Sequence, residues 1–117
     1  MSRGAHLHSD EIPPGTLYLL ILKTLARSGE MHGYEIANSI QQTSDDVLQV
    51  EEGSLYPALQ RMLKEGWLES EAGVSAKGRP TRIYRLTRAG RKHLEQEISS
   101  FEKMFAGIAR VLATAKG

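Results

Sequence analysis

The residues best suited to chemistry lie in one short run and in the basic stretch that follows it. The run 53–68, GSLYPALQRMLKEGWL, predicts a short helix that starts at a serine cap and ends at Gly66. Its apolar side chains fall on one face: Leu55, Leu59, Met62 and Leu63. The polar side chains fall mainly on the other: Tyr56, Pro57, Gln60, Arg61 and Lys64. A helix of this kind can lie in a DNA groove.

The stretch from Val74 to His93 contains seven Lys or Arg residues and no acid. Residues 68–72 are typical of a short strand, 73–80 of a flexible tip with two glycines and a proline, and 81–86 of a returning strand. A helix followed by a basic hairpin is the order of a winged helix-turn-helix. The alternative is an ordinary solvated surface.

Each polar side chain of this region has a candidate partner on DNA. Ser54 and Tyr56 can donate to phosphates, which sets the register of the helix. Gln60 can pair with adenine and Arg61 with guanine. The predicted contact residues are Tyr34, Ser54, Tyr56, Pro57, Gln60, Arg61, Lys64, Lys77, Arg79 and Arg82. Roles other than DNA contact stay open for three of these residues. Tyr34 and Tyr56 could belong to the core, and Arg61 could pair with Glu65 one turn away.

Charge and composition narrow the function classes. The 117 residues fit one domain, with a net charge of +1. Residues 1–50 carry a balance of −3, residues 51–93 one of +4 and residues 94–117 one of 0, so positive charge is concentrated where phosphates could be met. Without cysteine there is no thiol nucleophile, disulfide or cysteine-ligated zinc. No apolar run approaches the roughly 20 residues needed to cross a bilayer, so we expect a soluble, cytoplasmic protein.

The elements that must position these residues are mainly helical, with one small β-hairpin. Residues 1–13 are predicted to form a flexible N-terminus and residues 14–87 a winged helix-turn-helix domain. Within that domain, apolar periodicity predicts helices over 15–28 and from about 33 to 42. Residues 88–117 are predicted to form a C-terminal dimerisation helix.

That last helix, from Arg88 to about Ala113, carries a heptad seam: Leu94, Ile98, Phe101, Phe105, Ile108 and Leu112. A helix of about 25 residues is about 38 Å long, more than a small domain covers. We therefore predict that it pairs with a second copy of the chain. The alternative is a helix packed entirely on its own core. Phe101, Met104 and Phe105 are candidates to line an apolar effector pocket at this interface, although plain packing explains them too.

Four blocks of the sequence together resemble the PadR family of bacterial transcriptional regulators. They are GTLYLLILKTL at 15–25, HGYEI at 32–36, EEGSLYPALQRMLKEGWLESE at 51–71 and YRLTRAGRKHLEQE at 84–97. The blocks follow the family's order and spacing over about residues 12–112. A single helix after the wing is similar to the compact subgroup of that family.

This resemblance implies a winged-helix dimer that usually acts as a repressor. A dimer that reads successive major grooves on one face of DNA has its recognition helices about 34 Å apart, which predicts an inverted-repeat operator. The resemblance also implies dimer contacts through the last helix, helped by the first, and in some members a small apolar or aromatic effector that weakens DNA binding. One segment departs from the pattern. Many relatives have an aromatic residue at the start of the wing and an Arg-Arg pair before its second strand, whereas here residues 71–82 split the cations with proline and threonine.

Other function classes have less support. Four histidines, at positions 6, 8, 32 and 93, form no motif with a nucleophile or a further metal ligand, so we expect no catalytic site, metal or cofactor. A winged helix that binds another protein instead of DNA is the main alternative. RNA binding ranks lower, because no aromatic-bearing sheet or Gly-rich clamp is evident.

Overall fold

The structure, a computed structural model, describes residues 7–8 and 11–114. Four helices and two small sheets make up most of this part of the chain. The elements in order are β1 (Leu7–His8), α1 (Pro14–Ser28), β2 (Met31–His32), α2 (Gly33–Thr43), β3 (Leu48–Gln49), α3 (Glu52–Lys64), β4 (Leu68–Val74), β5 (Pro80–Leu86) and α4 (Arg88–Leu112). The predicted fold class, mainly helical with a β-hairpin and a long last helix, is confirmed.

Helix α1 is the centre of the core and contacts the other three helices and β5. Leu17, Ile21 and Leu25 recur every four residues, which places them on one face, and each is buried. Proline at the first helical position suits the start, where its missing N–H costs nothing. The helix ends at Gly29, whose φ of +88° is a left-handed conformation that favours glycine.

Helices α2 and α3 follow with their apolar faces against α1. The carboxylate of Glu35 accepts a hydrogen bond from the backbone N–H of His32 at 2.8 Å, which helps to fix the start of α2. The predicted serine cap of α3 at Ser54 is wrong. The helix begins two residues earlier, because the carbonyl of Glu51 already accepts hydrogen bonds from Ser54 and Leu55. Pro57 therefore lies inside α3 rather than in its first turn.

Strands β4 and β5 form an antiparallel wing that is more regular than the sequence predicts. They pair from Leu68 with Leu86 up to Val74 with Pro80, so the ends of the expected flexible tip belong to the strands. Only residues 75–79 form the turn. The Ser75 hydroxyl accepts hydrogen bonds from the backbone N–H groups of Lys77 and Arg79, at 3.3 and 3.2 Å, and orders this turn.

The N-terminal segment, expected to be flexible, is attached to the domain wherever the structure describes it. Strand β1 pairs in parallel with β3, matching Leu7 with Leu48 and His8 with Gln49. Ile12 is buried in the core, and burial of its apolar side chain helps to hold this segment against the domain. The other residues expected to be flexible, 1–6 and 9–10, lie outside the described residues.

Helix α4 starts at the base of the wing, where the hydroxyl of Thr87 caps it by accepting from Gly90 N–H at 2.9 Å. Gly90 lies directly against the backbone carbonyl of Trp67, and a side chain there would collide with it. The indole of Trp67 also stacks on the His93 ring, with centroids 3.9 Å apart. These contacts fasten the first turns of α4 to the segment that follows α3.

Beyond Ile98, the apolar seam of α4 is no longer covered by the described part of its own chain. Leu94 is buried and Ile98 half-buried, but the remaining seam residues and their neighbours are exposed by 39–78%: Phe101, Met104, Phe105, Ile108, Val111 and Leu112. The alternative of a helix packed entirely on its own core is therefore wrong. Its 25 residues reach past what the small domain can cover.

Candidate nucleic-acid interface

The two faces of α3 are divided as the sequence predicts. Leu55, Ala58, Leu59 and Met62 are buried, whereas Tyr56, Pro57, Gln60, Arg61 and Lys64 are exposed. Gln60 and Lys64 are one turn apart, and Pro57 precedes Gln60 by three residues, so these three share one stripe. The helix thus exposes an amide and a cation to solvent, while its opposite face is buried in the core.

Arg61 forms the ion pair that the sequence left open as an alternative. Its Nε lies 3.0 Å from the Oε2 of Glu65, one turn along the helix. Both side chains are exposed, and such surface pairs contribute little to stability. The guanidinium of Arg61 is therefore held by a weak partner that a phosphate or a guanine could replace.

Ser54 lies on the side of α3 that faces α1, and Pro57 lies at the boundary between that side and the exposed stripe. Together with Ile12, Leu17 and Tyr18, they line a cavity of about 310 Å³ between the two helices. Ser54 is half-buried there, whereas Pro57 remains exposed at the edge. The structure brings Pro57 close to the stripe of Gln60 and Lys64 and turns Ser54 away from its centre.

Tyr56 is at the junction of α3 with the start of α2. Its ring covers Gly33, where a side-chain carbon would come within 3.0 Å of the phenol oxygen. Burial of the ring raises the pKa of Tyr56 above its ordinary value of 10.0, and the charge of Glu52 raises it further. The hydroxyl is therefore protonated at neutral pH and able to donate to an anion. At 37% exposure it is a surface residue rather than a core residue.

Tyr34, in the first turn of α2, directly follows Gly33, the residue that the Tyr56 ring covers. It is 40% exposed, and its ring stacks on His32 with centroids 5.5 Å apart. The alternative of Tyr34 as a core residue is therefore wrong. Two exposed phenols thus flank the region where α2 begins and α3 passes.

The wing meets this region through Arg82. Its Nε donates to the hydroxyl of Ser70 on the neighbouring strand at 3.1 Å. Burial raises the pKa of the adjacent Tyr84, as does Tyr56, while the positive charge of Arg82 lowers it. Arg82 and Tyr84 are two residues apart on one face of β5, and Tyr56 of α3 is near enough to Tyr84 to affect its ionisation.

The basic stretch is not uniformly available, because Arg85 is neutralised. Its guanidinium lies 2.9 Å from Glu30, 3.1 Å from Glu71 and 3.7 Å from Glu69. The hydrogen bonds that Arg85 donates to Glu30 and, next in size of effect, to Glu71 raise the pKa of Arg85 above its ordinary value. Arg82 and Arg85 project from opposite faces of β5, since they are three residues apart on a strand. The wing thus has one cationic face and one face where three carboxylates outnumber a single guanidinium.

The remaining predicted cations, Lys77 and Arg79, are exposed in the turn of the wing. Sequence reasoning missed the neutralisation of Arg85, because its three carboxylates lie outside the basic stretch. Glu30 is 55 residues away, although Glu69 and Glu71 alternate on the preceding strand and gave a local signal. Among the described residues, no group of three or more His, Asp or Glu side chains could hold a metal ion.

Comparison with known proteins identifies the fold and the family together. Residues 21–96 match the Transcriptional regulator PadR-like family. The chain belongs to this family. It is therefore a PadR-family transcriptional regulator, from a family of regulators rather than of enzymes. No helix in the described ranges is long and apolar enough to span a membrane.

Individual PadR-like relatives agree with this assignment. A transcriptional regulator of Mycobacterium tuberculosis is 37% identical over 79 residues, which cover 68% of this chain and 70% of that protein. A solved transcriptional regulator from Clostridium thermocellum is 30% identical, with a TM-score of 0.74 over 82% of this chain and 92% of that one. Bacillus subtilis PadR, solved in complex with operator DNA, shares the fold at 24% identity and a TM-score of 0.62, covering 70% of this chain and 45% of that one.

Proposed function

We propose that this PadR-family regulator is a homodimeric repressor that binds an inverted-repeat operator through α3 and the wing. The observation that carries the proposal is the exposed stripe of Gln60 and Lys64 on a helix whose opposite face is buried. Tyr56 is exposed on the same helix, and the wing adds the exposed cations Lys77, Arg79 and Arg82. The complex of Bacillus subtilis PadR with operator DNA supports the choice of duplex DNA as the partner.

In this proposal, α3 enters the major groove with its N-terminal end leading. Gln60 pairs with adenine and Arg61, once released from Glu65, pairs with guanine. Tyr34, Ser54 and Tyr56 donate to phosphates, with Pro57 and Lys64 beside them on the helix. The wing contacts phosphates or the minor groove through Lys77, Arg79 and Arg82.

The second copy of the chain covers the apolar seam of α4. The exposed apolar residues between Phe101 and Leu112 support this, because burying an apolar helix face of this length lowers the free energy. Leu94 and Ile98 continue the same seam toward the domain. A two-fold dimer would place its recognition helices about 34 Å apart, one turn of DNA, which is why the operator is expected to be an inverted repeat.

A small apolar or aromatic molecule is the effector we propose for this interface. Phe101, Met104 and Phe105 are exposed in the single chain, and the two phenylalanine rings lie 6.1 Å apart, nearly parallel. A pocket at these residues would be completed by the second copy. Binding there would weaken DNA binding by changing the spacing of the two recognition helices.

The test is fluorescence anisotropy of the purified protein on labelled DNA from upstream of its own gene, with a shuffled duplex as control. Preferential binding to the upstream DNA that weakens with salt supports the proposal, because phosphate contacts release counterions. The triple variant Lys77→Ala, Arg79→Ala, Arg82→Ala should then bind more weakly. Absence of binding to either duplex at low salt would favour a winged helix that binds another protein.

A further inference from the structure

Gly53 is the second residue of α3, and nothing in the described part of the chain requires a glycine there. Its φ is not in the left-handed region, in contrast to Gly29, Gly66 and Gly78. Apart from its two chain neighbours and the nearby backbone of α3 itself, no described residue has an atom within 4 Å of the position that its Cβ would occupy. Gly33, by contrast, is held against Tyr56. The fold would accept alanine at position 53, which favours a helix more strongly.

The position of Gly53 relates it to the proposed DNA interface. It precedes Pro57 by four residues and Gln60 by seven, so it continues their exposed stripe toward the leading end of α3. The charge of Glu52, the adjacent acid, contributes to the raised pKa of Tyr56, which lies at the side of this stripe. The centre of the exposed face at the start of α3 is therefore bare backbone.

The backbone at Gly53 also has an unmatched acceptor. In an α-helix, the carbonyl of residue 53 would accept a hydrogen bond from the N–H of residue 57. Residue 57 is proline, which has no N–H, so this helical bond cannot form. The peptide carbonyl of Gly53 is thus left without its helical donor on an exposed face.

From these three observations we propose that Gly53 is a contact residue of the DNA interface, the point at which the backbone of α3 comes directly against the nucleic acid. The inference rests on the DNA-binding function proposed above. The missing side chain lets the first turn of α3 approach within contact distance. The Gly53 carbonyl lacks its helical donor, and because the Pro57 ring covers it along the helix axis, it can accept only from a bridging water or a donor that approaches from the side. Any side chain at position 53 would hold the helix away from the groove.

The experiment compares Gly53→Ala and Gly53→Leu with a matched control, Gly15→Ala. Gly15 is the second residue of α1, is exposed and likewise has no neighbour within 4 Å of its Cβ position. Binding is measured by anisotropy on the labelled upstream duplex at low salt, where non-specific binding also registers. Circular dichroism and thermal melting monitor the fold, and light scattering monitors the oligomeric state.

We expect Gly53→Ala to melt at the same or a higher temperature and to bind DNA about tenfold more weakly, because a methyl group forced into a close contact is strongly unfavourable. Gly53→Leu should bind more weakly still, and Gly15→Ala should bind normally. Wild-type affinity in Gly53→Ala, or an equal loss in Gly15→Ala, would overturn the inference. A wild-type protein that binds neither duplex would overturn the DNA function itself, and this is seen before any variant is compared.

Discussion

Gln60 and Lys64 are neighbours on α3, and the proposed interface gives them different tasks. Gln60 is placed to distinguish bases, and Lys64 supplies charge. Gln60→Ala should therefore cost about 1–3 kcal/mol on the upstream DNA and leave binding to shuffled DNA nearly unchanged. Lys64→Ala should weaken binding to both duplexes alike. Competition anisotropy with the two duplexes measures the ratio, and an equal loss for both in Gln60→Ala would contradict base recognition.

Gly90 makes the tightest contact of a glycine with the rest of the described structure. An added Cβ would collide with the carbonyl of Trp67, a backbone atom that cannot move aside easily. Gly90→Ala should lower the free energy of unfolding by about 1–3 kcal/mol, the usual cost of overpacking. Urea denaturation followed by Trp67 fluorescence measures this. Gly107→Ala, on the same helix with no neighbour within 4 Å, is the control and should not destabilise the protein.

At the scale of elements, the wing is a two-faced ribbon. The alternation of β5 places Arg82 on one face and Arg85 on the other, where three carboxylates surround the latter. Only the face with Arg82, together with the turn at Lys77 and Arg79, is cationic. The wing therefore has a defined orientation toward a phosphate backbone, which a count of cations does not reveal.

This orientation predicts different salt dependences for two arginine variants. Arg82→Ala should reduce the slope of log affinity against log salt by about 0.9, the value for one lost phosphate contact. Arg85→Ala should leave that slope unchanged, because its charge is already neutralised by Glu30 and its neighbours. Anisotropy titrations at several salt concentrations provide both slopes. A reduced slope in Arg85→Ala would mean that this side chain leaves its carboxylates and contacts DNA.

At the scale of the whole molecule, the single chain is incomplete along α4. The exposed apolar residues of its second half have no partner in their own domain, although the first half is anchored through Gly90, His93 and Leu94. Anchoring one half fixes the direction of the other. A dimer formed through α4 would thereby set the distance between two recognition helices.

Charge placed in the seam should separate dimer formation from folding. Phe105→Glu removes an exposed apolar residue, so the monomer should fold normally but fail to dimerise, and its DNA affinity should fall by at least about 100-fold as the second half-site is lost. Lys103→Glu, on the opposite side of α4, is the control and should remain dimeric. Light scattering and anisotropy measure the two effects. A monomeric wild type, or a dimeric Phe105→Glu, would argue against this interface.

Much of the molecule was predictable from the sequence alone. Helices α1, α2 and α4 begin and end within one residue of their predicted bounds, because apolar periodicity is a local signal. The division of α3 into a buried and a polar face followed from the same periodicity. The predicted contact residues stay a prediction, which the experiments above address.

Only the tertiary structure determined which charged side chains form ion pairs and where two segments of backbone come into direct contact. Arg85 meets Glu30 because the fold brings β5 beside the end of α1, and Gly90 is necessary because α4 starts against Trp67. The start of α3 and the length of the wing depend on hydrogen bonds that no side-chain pattern specifies. Periodicity records which side of an element faces the core, whereas ion pairs and close contacts depend on how separate elements pack together.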